Sequence, residues 1–157
     1  MQALAADDLA AAEPPLRQVV EARPELATPR LNLGLLYART GRDEAALAAL
    51  REAARLDPGL AAAHTQMGIL LRQAGDFQGA RAAYERALAA DPDHARAHLN
   101  LGILFDLYLQ QPARALRHYE RYQALDGGGD REVKMWIVDL RQRLKSLARN
   151  DQGGTAP

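Results

Sequence analysis

The chain contains no cysteine. Disulfides, thiolate nucleophiles and cysteine-bound metals are therefore excluded, and the absence fits periplasm as well as cytoplasm. Serine is almost absent too: Ser146 stands alone, with no glycine-rich elbow around it to hold a nucleophile. The glycines form no phosphate-cradling pattern. No stretch approaches the roughly eighteen consecutive apolar residues of a membrane-crossing helix, and no charged-then-apolar leader follows Met1. Charge of one sign is missing as well, because 20 Lys and Arg balance 20 Asp and Glu. A neutral chain has no global field to favour nucleic acid or an anionic membrane. These absences argue against an enzyme, a cofactor site and a nucleic-acid binder.

What the chain does have is internal repetition. Gly34, Gly68 and Gly102 recur with a period of 34, in the segments LNLGLLYARTGR, TQMGILLRQAGD and LNLGILFDLYLQ. Each is followed by a second segment: EAALAALREAARLDP, GARAAYERALAADP and ARALRHYERYQALDG. Glycine inside a helix allows a neighbouring backbone to come close, at a cost near ~1 kcal/mol relative to alanine. Gly41 and Gly75 suit left-handed turns that end the first helices. Asp43 and Asp76 are candidate caps for the second helices. Asp57-Pro58 and Asp91-Pro92 close each unit, since a residue before proline is pushed out of helical geometry.

The pattern resembles the tetratricopeptide repeat, a helix–turn–helix unit of this period. The resemblance implies a large apolar residue before each first-helix glycine (Leu33, Met67, Leu101) and another three residues after it (Tyr37, Leu71, Phe105). It also implies a small–large–small triplet in each second helix, matched by Ala46, Leu50, Ala53 and by Ala80, Tyr84, Ala87. The third unit departs. Ala115 and Tyr119 lie one residue late, which places an insertion around Leu109 to Gln111 and suggests looser packing at that end. The fold implied is an all-α, right-handed solenoid of antiparallel helix pairs, closed by a C-terminal capping helix.

The units run 27–60, 61–94 and 95–129. Residues 1–26 align with the second half of a repeat through Ala12, Leu16, Val19 and Pro24. The first helix of that repeat, and an anchor or signal, would lie before Met1. Pro14 and Pro15 should break or kink any helix through them. The first ordered helix is therefore expected near Pro14, with residues 1–12 frayed or separate. Over 130–149, Val133, Trp136, Ile137, Leu140, Leu144 and Leu147 recur at helical spacing, with Asp130 as cap. This is the capping helix, with a polar outer face, and Trp136 and Leu140 should pack near Tyr119 and Tyr122. Residues 150–157 read as a disordered tail.

Candidate chemistry outside the repeats is thin. His94 and His98 lie four apart, which zinc can use, but the spacing alone is weak, and His64 and His98 recur at a packing position. Tyr119 and Tyr122 around Arg121 are better read as packing than as a base-stacking platform. The sharper constellation lies two residues before each repeat glycine: Asn32, Gln66 and Asn100. An amide offers donor and acceptor together, as an extended peptide backbone requires. Some members of the family grip peptide main chain with such a ladder on their concave face. Leu35, Ile69 and Ile103 then form an apolar row, with Leu31, Thr65 and Leu99 as neighbouring groove positions. Arg72 and Arg96 would favour some acidity in the ligand. The family's chaperone-tail receptors carry Lys and Asn where this chain has Leu31 and Leu35, which argues against an acidic chain terminus as ligand.

The sequence thus predicts a non-catalytic adaptor without metal or cofactor. It would bind a protein or peptide in a bacterial, envelope-associated assembly, in periplasm or cytoplasm, with no membrane insertion of its own. The alternatives are a homo-oligomer joined through terminal repeats and an accessory subunit of an enzyme.

Overall fold

In the computed structural model, residues 6–153 are described, and among them every regular element is helical. The elements are α1 (Ala6–Ala22), α2 (Ala27–Arg39), α3 (Asp43–Leu56), α4 (Ala61–Gln73), α5 (Phe77–Ala90) and α6 (Ala95–Ile103). A π-helical turn, Leu104–Tyr108, continues α6, followed by α7 (Pro112–Leu125) and α8 (Arg131–Gly153). No helix is long and apolar enough to cross a membrane among the described residues. Two compact units emerge, Met1–Pro92 and Asp93–Pro157.

In the first unit, α2 pairs with α3 and α4 with α5, while α3 also packs on α4 and α1 on α2. The repeat glycine is the seat of each pair. A Cβ on Gly34 would stand 2.7 Å from Leu50 Cγ, and one on Gly68 would stand 2.6 Å from Tyr84 Cδ1. Leu50 and Tyr84 are completely buried there, flanked by the equally buried Ala46, Ala53, Ala80 and Ala87. The close approach is thus made by a large side chain of the partner helix rather than by its backbone. At the end of each first helix the chain turns through a left-handed glycine, Gly41 (φ 71°) or Gly75 (φ 84°). The next amide then bonds back to the carbonyl of Tyr37 or Leu71, each at 2.9 Å, satisfying an orphan helix-end acceptor. Asp57 and Asp91 are extended before their prolines.

Two local expectations fail in this unit. Asp76 caps α5 through Gly79 N at 2.8 Å, but Asp43 is already inside α3 and makes no cap; Arg42 holds that position. And α1 runs unbroken through Pro14 and Pro15 instead of starting there. The two prolines withhold amides from the carbonyls of Ala10 and Ala11, and all four residues are exposed, so water can serve those acceptors. Docking offsets the remaining cost. Glu13 accepts from Arg42 Nη2 at 2.7 Å and from Tyr37 Oη at 3.2 Å, and the Arg42 guanidinium lies 4.2 Å from the Tyr37 ring centre. The expectation for residues 1–5 falls outside the described residues.

In the second unit, α6 pairs with α7 and α7 with α8. The same seat recurs at Gly102, whose Cβ would stand 2.6 Å from Tyr119 Cδ1. The inserted residue is absorbed by the π turn: Leu109 N bonds Leu104 O at 3.0 Å, and Gln111 N bonds Phe105 O at 2.7 Å. Gln110 takes the left-handed position (φ 51°) that glycine holds in the first unit. The packing is not looser, because Phe105, Leu101, Leu104 and Tyr119 are almost wholly buried. The capping helix α8 begins beyond Asp130, whose Oδ1 accepts from Glu132 N at 3.0 Å and Val133 N at 3.1 Å. It continues past residue 149 to Gly153, and residues 154–157 lie outside the described ones. Val133, Ile137 and Leu140 are buried beneath it, and the Trp136 ring lies 5.4 Å from that of Tyr119. Tyr122 instead donates to Asp130 Oδ2 at 3.2 Å.

Three expectations follow for stability. Gly68→Ala should destabilise by about 1–3 kcal/mol despite alanine's better helix propensity, since the Tyr84 ring cannot retreat from a full core. Chemical denaturation measures it, and no loss of stability would remove the seat from the account. Trp136→Ala should cost about 3 kcal/mol, the low end for a half-buried tryptophan, and an unchanged midpoint would contradict it. Glu13 is held below the ordinary carboxylate range, first by its hydrogen bond from Arg42. Its stabilising contribution is therefore complete above the ordinary carboxylate titration and lost as pH falls through the lowered value. Acidification, or Glu13→Gln at neutral pH, should speed hydrogen exchange in 10–22 before 61–90.

Candidate functional site

Within the first unit, α2 and α4 are neighbours, and each offers one amide at the same register. Asn32 is exposed and Gln66 half-exposed, and neither side chain makes a hydrogen bond among the described residues. Leu35 and Ile69, three residues on, are half-buried. Leu35 also touches the buried cluster of Leu31, Leu50, Met67 and Leu70. Leu31 and Thr65 do not join the surface row. Leu31 is in the core, and buried Thr65 donates its hydroxyl to Ala61 O at 2.9 Å. Arg72 is half-buried one turn beyond Ile69.

Two residues before the amide in α2 and α4, the position is structural. Arg30 Nη2 donates to Pro24 O at 3.0 Å, and His64 Nε2 sits 3.2 Å from Pro58 O. Residues 34 apart thus tie two helix starts to the loops before them. This explains why His64 is buried at a place with no ligand chemistry.

In the second unit the amide turns inward. Asn100 is 7% exposed and donates from Nδ2 to Arg96 O at 2.8 Å, one turn back in its own helix. One of its donors is therefore already spent, and sequence spacing could not reveal this. Arg96 is exposed and Ile103 half-buried. His98 faces His118, Nδ1 to Nδ1 at 3.0 Å, and His118 stacks on Phe105 with ring centres 5.6 Å apart. The Arg114 guanidinium lies over the Phe105 ring, 4.1 Å from its centre. No group of three or more His, Asp or Glu able to hold a metal occurs among the described residues.

Ile103 lines a groove of about 480 Å³ with Leu107, Tyr119 and Trp136. Its polar edge is Asp106, Asp139 and Arg143, the last bridging both acids at 2.8 and 2.9 Å. Asp106 side-chain exposure is only 9%, so the contact anchors α8 on the π turn. Tyr119 underlies the groove, and burial first, then the Asp106 charge, pushes its phenol well above the ordinary range. Sequence reasoning assigned Trp136 to packing alone and did not find this groove. The available signal was the replacement of Arg39 and Gln73 by Leu107 at the same repeat position, left 66% exposed.

A tetratricopeptide repeat model matches residues 2–61 and 65–130. No curated protein sequence matches the chain at a significant level. Among solved structures, it is similar to MamA, with TM-score 0.68 and 22% identity over 91% of this chain and 92% of that one. It is similar to YrrB, described as a TPR protein with an unusual peptide-binding site, with TM-score 0.76 and 25% identity over 85% and 68%. It also resembles the first TPR of Spaghetti (RPAP3), solved bound to the HSP90 peptide SRMEEVD, with TM-score 0.69 and 20% identity over 76% and 93%. With helix pairs seated on glycines at a 34-residue period, and a family match across most of its length, the chain is a tetratricopeptide repeat protein.

Proposed function

We propose that this protein is a non-catalytic scaffold that holds an extended segment of a partner protein against its first helices. The observation that carries the reading is the pair Asn32 and Gln66. Both amides stand at one register, carry no intramolecular hydrogen bond among the described residues, and lie beside the apolar Leu35 and Ile69. Such a pair can bond a peptide's N–H and C=O while adjacent side chains receive apolar residues. The peptide-binding site named for YrrB and the peptide bound to Spaghetti support the class of ligand. Leu31 and Leu35 replace the basic clamp of the family's chaperone-tail receptors, so the ligand is apolar in its side chains rather than an acidic terminus. Arg72 and exposed Arg96 favour some acidity alongside, through association rate more than affinity. Within the second unit, Ile103 is the apolar position of that register, and the amide of Asn100 is partly spent on its own helix. The Ala- and Arg-rich composition resembles that of bacterial members of the family, and by analogy with them a bacterial, envelope-associated assembly is the proposed setting.

Peptides selected for binding from a random library provide the test. Asn32→Ala and Gln66→Ala should each weaken binding by about 0.5–1.5 kcal/mol, while Asn100→Ala should cost less. Isothermal titration reads all three. Equal affinities for wild type and the Asn32/Gln66 double variant would place the site elsewhere.

A further inference from the structure

The outer side of α8 breaks the expectation for a terminal cap. A cap should show water a polar face, yet Met135 is 66% and Val138 54% exposed there. At 3.6 residues per turn, Arg131, Lys134, Val138, Lys145 and Arg149 fall on one side of the helix, with Met135 at its margin. None of the four cations has an ion-pair partner among the described residues, and no acid lies on that side. The acids of the exposed flank, Glu132 and Asp139, sit about a quarter-turn or more away, and Asp139 is occupied by Arg143. The stripe runs about 27 Å from Arg131 to Arg149 at helical rise. It is a segregated charge in a protein neutral overall: α8 has six basic and three acidic residues, while the whole chain balances 20 against 20.

We infer that this face docks an acidic amphipathic helix from a partner protein, with its apolar residues on Met135 and Val138 and its carboxylates on the flanking cations. Charge complementarity selects the occupant. Four unneutralised cations at the two ends of the stripe need carboxylates at matching ends, and the middle needs apolar contact. A shallow depression of about 310 Å³ between Lys134, Met135, Val138, Asp139 and Gln142 offers that contact, with the Asp139 carboxylate engaged by Arg143. Methionine suits it, because an unbranched thioether adapts to whatever apolar side chain arrives. A lipid surface fits less well, since the bulky residues that would enter it, Trp136 and Leu140, are turned inward against α7. Nucleic acid fits less well again, because it offers phosphates where the stripe is apolar. The site shares no residue with Asn32 and Gln66, so a protein that uses both sets would join two partners.

The test uses the full chain and a synthetic helical peptide of about eighteen residues, glutamates on one face and leucines on the other. A scrambled peptide of identical composition and vesicles of mixed zwitterionic and anionic lipid serve as further arms. Fluorescence anisotropy at low salt should show the amphipathic peptide binding at least about tenfold more tightly than the scrambled one. Reversing the four charges (R131E, K134E, K145E, R149E) should abolish binding. Met135→Ser with Val138→Ser, two exposed positions that leave the core intact, should weaken it severalfold. Asn32→Ala with Gln66→Ala should leave it unchanged, which separates this proposal from the peptide groove. Equal binding of amphipathic and scrambled peptides, an indifferent serine variant, or vesicles that bind more tightly than the peptide would each overturn the inference.

Discussion

Everything else in the fold depends on one contact: a large second-helix side chain pressed onto a first-helix backbone that carries no Cβ. Leu50 on Gly34, Tyr84 on Gly68 and Tyr119 on Gly102 leave no room for a methyl group. Because these residues are fully or almost fully buried, the helix pair has one register and one separation. A glycine in mid-helix loses propensity, so its recurrence at a fixed period makes physical sense only if the contact returns more than it costs. Once each pair is set, the left-handed turn after the first helix and the extended Asp-Pro after the second fix the path of the chain.

That logic is local and periodic, which is why the helix pairs could be read from the sequence. The parts that could not be read depend on what lies across from a residue. Pro14 and Pro15 predict a break by intrinsic preference, but α1 is tied down by Glu13 to Tyr37 and Arg42, 24 and 29 residues away in sequence. Asp43 looks like a cap, but the turn through Gly41 starts the helix one residue earlier. The insertion near Leu109 was visible as a shift in register. Its solution, a π turn that presents Asp106 to Arg143, was not. Asn100 matches Asn32 in sequence and differs in structure because its amide folds back onto Arg96 O. Periodicity reports which residues are equivalent; it does not report which of them are spent on their own helix.

The functional surface follows from the same division. Residues that fix the pairs are buried and alike from unit to unit, which leaves the intervening positions free to vary. Those positions are amide and apolar in the first unit, where Asn32, Leu35, Gln66 and Ile69 stand. They change to Leu107, Trp136 and an Asp–Arg–Asp bridge in the second. The outer side of α8 changes again, to cations around methionine and valine. One packing rule thus supports several chemically distinct faces, as a scaffold requires.

The seat itself is best tested by a double-mutant cycle in equilibrium unfolding, pairing Gly68→Ala with Tyr84→Ala. In the Tyr84→Ala background the new methyl group has no ring to strike, so Gly68→Ala should become stabilising through helix propensity, by up to about 1 kcal/mol. The account requires this reversal of sign between the two backgrounds. Additive effects, with Gly68→Ala equally harmful whether or not the tyrosine is present, would contradict it.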